Sequence, residues 1–286
     1  MNVGFIGLGI MGAPMAGHLI AGGHSLALKT RRQVPEALVS AGGRACATAA
    51  EVAERSDVVV LMLPDTPDVE TVLFGADGVA AGVRRGAVVV DMSSISPIAT
   101  RDFAARLAER GVDTLDAPVS GGQAGAENGV LTVMCGGAAE TYAAVEPAIL
   151  CFARASRLMG PAGSGQLTKM VNQIAIAGLV QGLSEAVHFA KRANLDVEAV
   201  LEVISKGAAG SWQMENRGKT MNAGKFDFGF AVDWMRKDLG ILLAEARRNG
   251  AQLPVTALVD QFYADVQGMG GNRWDTSSLI ARLEKQ

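Results

Sequence analysis

Two segments of the chain put reactive side chains where chemistry can be done. Lys169 lies in Gly163-Ser164-Gly165-Gln166-Leu167-Thr168-Lys169-Met170-Val171-Asn172-Gln173. On a helix, Asn172 and Gln173 fall near the lysine's own face. An ammonium can give up a proton, and an amide can anchor a carbonyl oxygen. The other segment is Asp116-Ala117-Pro118-Val119-Ser120-Gly121-Gly122. Ser120 offers a hydroxyl, and the glycine pair leaves backbone N–H groups open to a carboxylate or carbonyl oxygen. Plainer roles exist for both: a lysine that snorkels to the surface, and an ordinary Ser-Gly turn.

A third segment binds rather than reacts. The chain begins with an apolar run that enters Gly7-Leu8-Gly9-Ile10-Met11-Gly12, and a small-residue helix follows. In the pattern Gly-x-Gly-x-x-Gly, Gly7 permits the tight turn, Gly9 admits a pyrophosphate close to the backbone, and Gly12 lets helix and strand pack closely. The helix N-terminus then faces the phosphates. This is the turn of a dinucleotide-binding fold. The residue that selects the coenzyme belongs at the end of the second strand, where NAD enzymes place a carboxylate. Here stand Lys29, Thr30, Arg31 and Arg32, with no carboxylate and three cations. That set suits a 2′-phosphate, so NADP(H) is expected over NAD(H), although a basic loop can also be merely solvated. Two more strand ends should line the crevice: Leu63-Pro64-Asp65 and Asp91-Met92-Ser93-Ser94. Each is also a common turn composition.

Alternating elements must position these segments. Strand runs are expected at 3–6, 25–28, 58–63, 87–91 and 113–117, with helices at 14–21 and around 51–55, and one further strand unit from 129–135 and 157–159. Fully apolar strands separated by helices imply a doubly wound parallel sheet of Rossmann type, covered on both faces. From Ser164 onward helical periods take over, at 165–192, 197–205, 232–248 and 254–267. Asp196 caps one of these helices and Gly250 ends another. The reading is therefore an α/β domain over 1–162 and an all-helical domain over 163–286, divided near Gly160-Pro161-Ala162-Gly163. The helix from Gly165 carries Leu167, Met170, Val171, Ile174, Ile176, Leu179, Leu183, Val187 and Phe189, and belongs in a core or a subunit interface.

Composition narrows the function. The 286 residues carry a net charge of -3, with 49% hydrophobic and 19% charged residues, which describes a globular chain without a nucleic-acid surface. Cys46, Cys135 and Cys151 are odd in number and lack C-x-x-C spacing, so neither a disulfide framework nor a metal site is expected, and a reducing cytoplasm fits. The start of the chain has no basic region, and its glycines would break a signal core. The run 174–180 is too short to span a membrane. His18, His24 and His188 are dispersed, without hydrolase or metal-ligand spacing.

In four ordered blocks the chain resembles the β-hydroxyacid dehydrogenase family. They are Gly4-Phe5-Ile6-Gly7-Leu8-Gly9-Ile10-Met11-Gly12-Ala13-Pro14-Met15-Ala16, the segment 116–122, Gly163-x-Gly165-x-x-x-Lys169-x-x-Asn172, and Lys237-Asp238-Leu239. The resemblance implies a Rossmann-type domain followed by a helical domain that forms a homodimer or homotetramer. It also implies that Lys169 is catalytic, that Ser120, Gly121 and Gly122 bind substrate, that Asn172 lies beside it, and that Lys237 reaches the coenzyme. Two places depart from the pattern or vary within it. Many relatives carry Asn-Asn where this chain has Asn172-Gln173, which leaves open which amide meets the substrate. The stretch 207–217, with Trp212, falls where relatives differ, so Trp212 either shapes the pocket or fills the core.

The chemistry implied is reversible hydride transfer between nicotinamide and a small carboxylate-bearing aldehyde or its hydroxyacid, with Lys169 as acid and base. Tartronate semialdehyde, methylmalonate semialdehyde, succinic semialdehyde, glyoxylate and a sulfonated analogue all fit. The block 93–97 and the Ser-Gly-Gly block look most like tartronate semialdehyde reductase. The alternatives are an imine reductase of the same architecture, against which Lys169 counts, and a dinucleotide-binding protein without turnover.

Overall fold

A computed structural model describes residues 1–284. The chain divides into two compact units, Met1–Lys169 and Met170–Gln286.

The first unit is built on a nine-stranded sheet. In chain order the strands are β1 (Asn2–Ile6), β2 (Ser25–Lys29), β3 (Arg44–Ala45), β4 (Val58–Leu61), β5 (Val88–Asp91), β6 (Asp113–Asp116), β7 (Val119–Ser120), β8 (Leu131–Gly137) and β9 (Ala153–Leu158). They lie in the order β3-β2-β1-β4-β5-β6-β8-β7, with β9 also paired to β8. The first six run parallel, in registers such as Phe5↔Leu28, Phe5↔Val60 and Val60↔Val90. The continuous apolar strands explain this arrangement. Val58, Val60, Val88 and Val90 point into one core with Phe5, Met15 and Leu19. Val59, Leu61 and Val89 point into a second core with Val52, Val69 and Phe103. Both faces are covered, so neither needs polar residues. This is the doubly wound Rossmann-type sheet.

The far edge differs from the single strand unit expected over 129–135 and 157–159. In place of that unit stand two separate strands, β8 and β9, beside β7: β8 runs antiparallel to β6 and β7, and β9 parallel to β8. The physical reason is length. Only residues 121–130, with the short helix Gly122–Glu127, lie between β7 and β8, too few for a parallel crossover.

The second unit is all helical. It contains Val197–Ile204, Trp212–Asn222, Val232–Asn249, Pro254–Gly268 and Leu279–Glu284, together with most of the long helix Ser164–Arg192. Asp196 Oδ1 accepts from the N–H groups of Glu198 (3.0 Å) and Ala199 (3.2 Å), and Gly250 ends its helix at φ +83°. The helix Trp212–Asn222 has no clear apolar stripe, and its Gly218 lies against Leu201 where a Cβ would approach to 2.8 Å. The long helix buries Ala177, Val180, Leu183, Val187 and Ala190 but leaves Val171 65% and Phe189 71% exposed. Among the described residues, no helix is long and apolar enough to cross a membrane.

Candidate active site

The carboxyl ends of β2, β1, β4, β5 and β6 form one row of loops, joined by backbone hydrogen bonds. Gly7 N–H donates to Lys29 O (2.9 Å), Met62 N–H to Ile6 O (2.9 Å), Met92 N–H to Leu61 O (2.8 Å) and Ala117 N–H to Asp91 O (2.7 Å). The sheet order reverses at β1, the switch point where open α/β sheets take their ligands.

The glycine turn occupies that point, and each glycine answers to a different constraint. Gly7 sits at φ +103°, and a Cβ there would lie 2.2 Å from Met62 O. At Gly12 a Cβ would lie 1.9 Å from Gly7 O, because the helix Gly12–Ala21 starts hard against the turn. A Cβ at Gly9 would meet no protein atom within 4 Å, so the fold does not demand glycine there. The demand fits something that must approach the backbone, which is the role of the middle glycine in a pyrophosphate cradle. Leu8 is buried beneath the turn, Met11 is half-buried, and Ile10 is 61% exposed beside it. These residues therefore fit a dinucleotide.

Next to the turn, Thr30 is half-buried while Arg31 and Arg32 are exposed. One contact here lies outside the sequence reading. Arg31 Nη2 donates to Asp68 Oδ1 at 2.6 Å, from a side chain that stays 79% exposed. An exposed pair of this kind is worth little, on the order of 0–1 kcal/mol, and leaves the guanidinium available to a stronger anion. Asp68 is remote in sequence, on the helix Thr66–Phe74, so no local signal marks the pair. Leu63 and Pro64 follow β4, and Leu63 N–H donates to Ser93 Oγ at 2.9 Å. Ser94 is half-buried at the end of β5. Ser120 closes β7 opposite Thr132, Gly121 and Gly122 follow at φ +131° and +60°, and a Cβ at Gly122 would meet nothing within 4 Å.

Lys169 is half-buried on the long helix, and the start of that helix is tied to this row of strand ends. Asp116 ends β6 and is 3% exposed. Its carboxyl accepts from Gly163 N–H (2.7 Å), Gln166 N–H (2.9 Å) and Gly165 N–H. Burial raises the Asp116 pKa above the ordinary carboxylate value, and these backbone donors work against the rise. With a folded pKa above the unfolded one, the ionised carboxyl weighs against the fold as pH climbs through that window. Sequence reading gave Asp116 no role, although a carboxylate ending an apolar strand was its visible signal.

In the second unit the predicted residues form a chain of contacts. Asn172 Nδ2 donates to Gln173 Oε1 (2.8 Å), Gln173 Nε2 donates to Asp238 Oδ2 (2.7 Å), and Lys237 Nζ lies 3.2 Å from Asp238 Oδ1. Gln173 is 3% exposed, with Met235 as a further neighbour, whereas Asn172 is half-buried. Trp212 is not core filler: it is 51% exposed, with the Arg217 guanidinium 4.9 Å from its ring. The three cysteines are unbridged, and no group of metal-ligating side chains occurs among the described residues.

Comparison with known proteins agrees with this geometry. Residues 2–160 match the family model for the NAD binding domain of 6-phosphogluconate dehydrogenase, and 163–283 match the one described as NAD-binding of NADP-dependent 3-hydroxyisobutyrate dehydrogenase. An uncharacterized oxidoreductase of Shewanella frigidimarina is 55% identical, over 99% of this chain and 98% of its own length. The 2-hydroxy-3-oxopropionate reductase of Escherichia coli is 41% identical, over 99% and 97%. Among solved structures, Mycobacterium tuberculosis 3-hydroxyisobutyrate dehydrogenase with L-serine superposes at a TM-score of 0.87, with 28% identity and 99% of both chains covered. A dinucleotide cradle in a chain related over its whole length to hydroxyacid enzymes leaves one assignment: it belongs to the β-hydroxyacid dehydrogenase family and is an NAD(P)-dependent hydroxyacid dehydrogenase.

Proposed function

We propose that the chain interconverts a small carboxylate-bearing aldehyde and its β-hydroxyacid, with NADP(H) preferred over NAD(H) and Lys169 as the proton donor and acceptor. The observation that carries this reading is the anchoring of the Lys169 helix, through Asp116 and Gln166, to the strand ends that hold the glycine turn. Gly7, Leu8, Gly9, Ile10, Met11 and Gly12 are assigned to the pyrophosphate, and Thr30, Arg31 and Arg32 to the 2′-phosphate. Leu63, Pro64, Ser94 and Lys237 complete the coenzyme set. Ser120, Gly121 and Gly122 take the substrate carboxylate, with Asn172 beside the reacting oxygen. Gln173 supports Asn172, since its amide is already engaged with Asp238. Trp212 shapes the pocket. The helical domain is assigned the contacts of a homodimer or homotetramer, a reading supported by exposed Val171 and Phe189.

When bound, the coenzyme supplies or accepts hydride at the nicotinamide C4. In reduction, negative charge builds on the aldehyde oxygen. Lys169 as ammonium stabilises that charge, gives the oxygen its proton and is left neutral, to be reprotonated by solvent. In oxidation, neutral Lys169 accepts the hydroxyl proton.

The substrate proposed is 2-hydroxy-3-oxopropionate, because the Escherichia coli relative bears that name and matches nearly end to end. A panel of small acid aldehydes, hydroxyacids and cyclic imines, assayed with both coenzymes, tests it. The expected result is the highest kcat/KM for 2-hydroxy-3-oxopropionate with NADPH. Preferential turnover of imines would favour the imine reductase reading, and coenzyme binding without turnover a sensing protein. Arg31→Ala should raise the KM for NADPH about tenfold, the loss of one charge-assisted contact, and leave the KM for NADH unchanged. Equal changes for both coenzymes would refute the 2′-phosphate role.

A further inference from the structure

Three residues before Lys169, Gln166 is 1% exposed. Its Oε1 accepts from Ile95 N–H (3.1 Å) and its Nε2 donates to Ser93 O (2.8 Å). Ser93, fully buried, accepts from Leu63 N–H through its hydroxyl (2.9 Å) and donates its own N–H to Asp91 Oδ1 (3.0 Å). Beneath the same turn, Asp116 receives the N–H groups of Gly163, Gly165 and Gln166. Packing leaves little play, since a Cβ on Gly165 would meet Met134 O at 2.4 Å and Asp116 O at 2.6 Å. Neither Gln166 nor Asp116 has a part in the proton transfer. A buried amide and a buried carboxyl are costly unless fully bonded, and an apolar side chain could fill the same volume. What the polar pair adds is direction. Gln166 fixes the rotation of the first helical turn against the loop after β5, which Ser93 ties to the end of β4, and Asp116 fixes its depth against the end of β6. A residue three positions on shares that face of the helix.

We infer that Gln166 and Asp116 are positioning residues, which hold the helix so that Lys169 meets the reacting oxygen at the strand ends. This rests on the acid–base reading of Lys169. The test uses the full-length enzyme with Gln166→Met, which keeps volume and loses both side-chain contacts, and with Gln166→Glu. A carboxyl at this position replaces both contacts only when protonated. Measured quantities are kcat, KM, the pH profile of kcat, NADPH affinity by fluorescence and the thermal midpoint. Gln166→Met should lower kcat at least about tenfold, the scale of a sub-ångström misplacement, with NADPH affinity within about twofold. Gln166→Glu should recover toward wild type as pH falls. A lower thermal midpoint with kcat and its pH profile unchanged would overturn the inference. If Gln166→Met does not fold, the low-pH recovery of Gln166→Glu decides alone, and its absence overturns the inference. Lys169→Ala separates the two ideas: retained turnover there removes the acid–base reading itself. Lost turnover there with normal kcat in Gln166→Met removes only the positioning role.

Discussion

Lys169→Ala should lower kcat by roughly 10³-fold while NADPH affinity changes by less than about threefold, the range expected for loss of a positioned general acid. In the proposed role the lysine ammonium matters when charge has built on the substrate oxygen, so its removal should raise the barrier and leave coenzyme binding almost untouched. Steady-state kinetics and a fluorescence titration on the same preparation separate the two. Lys169→Arg should remain impaired, because a guanidinium does not release its proton near neutral pH. Turnover within about fivefold of wild type in Lys169→Ala would end the assignment of proton transfer to this residue.

Gly9→Ala and Gly12→Ala should fail in opposite ways. A Cβ at Gly9 meets no protein atom within 4 Å, so the fold should keep its thermal midpoint. Coenzyme affinity should drop about 100-fold, the equivalent of one to two charge-assisted contacts between pyrophosphate and backbone. At Gly12 the Cβ falls 1.9 Å from Gly7 O, a backbone atom that cannot swing away. Gly12→Ala should therefore cost about 3 kcal/mol of stability, the upper part of the overpacking range, and lower the thermal midpoint by roughly 5–10 °C. Calorimetry beside coenzyme titration distinguishes them. Comparable destabilisation at the two positions would contradict the division of labour in the turn.

Legibility followed the range of the signals. Val58 to Leu61 and Val88 to Val90 announced a two-faced sheet because burial on both sides needs an unbroken apolar run. The glycine turn was legible because its constraints are backbone constraints carried by neighbouring residues. The reversal at β8 was not, since orientation depends on how little chain lies between β7 and β8. The contacts that Asp116, Gln166 and Ser93 make were not legible because the partners lie 47, 71 and 30 residues away in sequence. The Arg31–Asp68 pair escaped for the same reason, across 37 residues. Trp212 could be read either way from its type alone, and its exposure removes only the core role.

The unbroken valine runs carry a cost in specification. Where one face of a strand is polar, a one-residue slip turns apolar side chains to water and is rejected. In β4 a slip would exchange valine for valine, and hydrophobicity would hardly notice. Alignment must come from the ends. At the amino end Asp57 accepts from the backbone and side chain of Asn2 (3.3 and 3.1 Å) and from Arg84 (2.9 Å). At the carboxyl end Leu63 is fastened to Ser93. These few polar fastenings act as the stops of a slide rule. They decide which residue arrives beside the glycine turn, and so whether Met62 and Leu63 come to lie against Gly7.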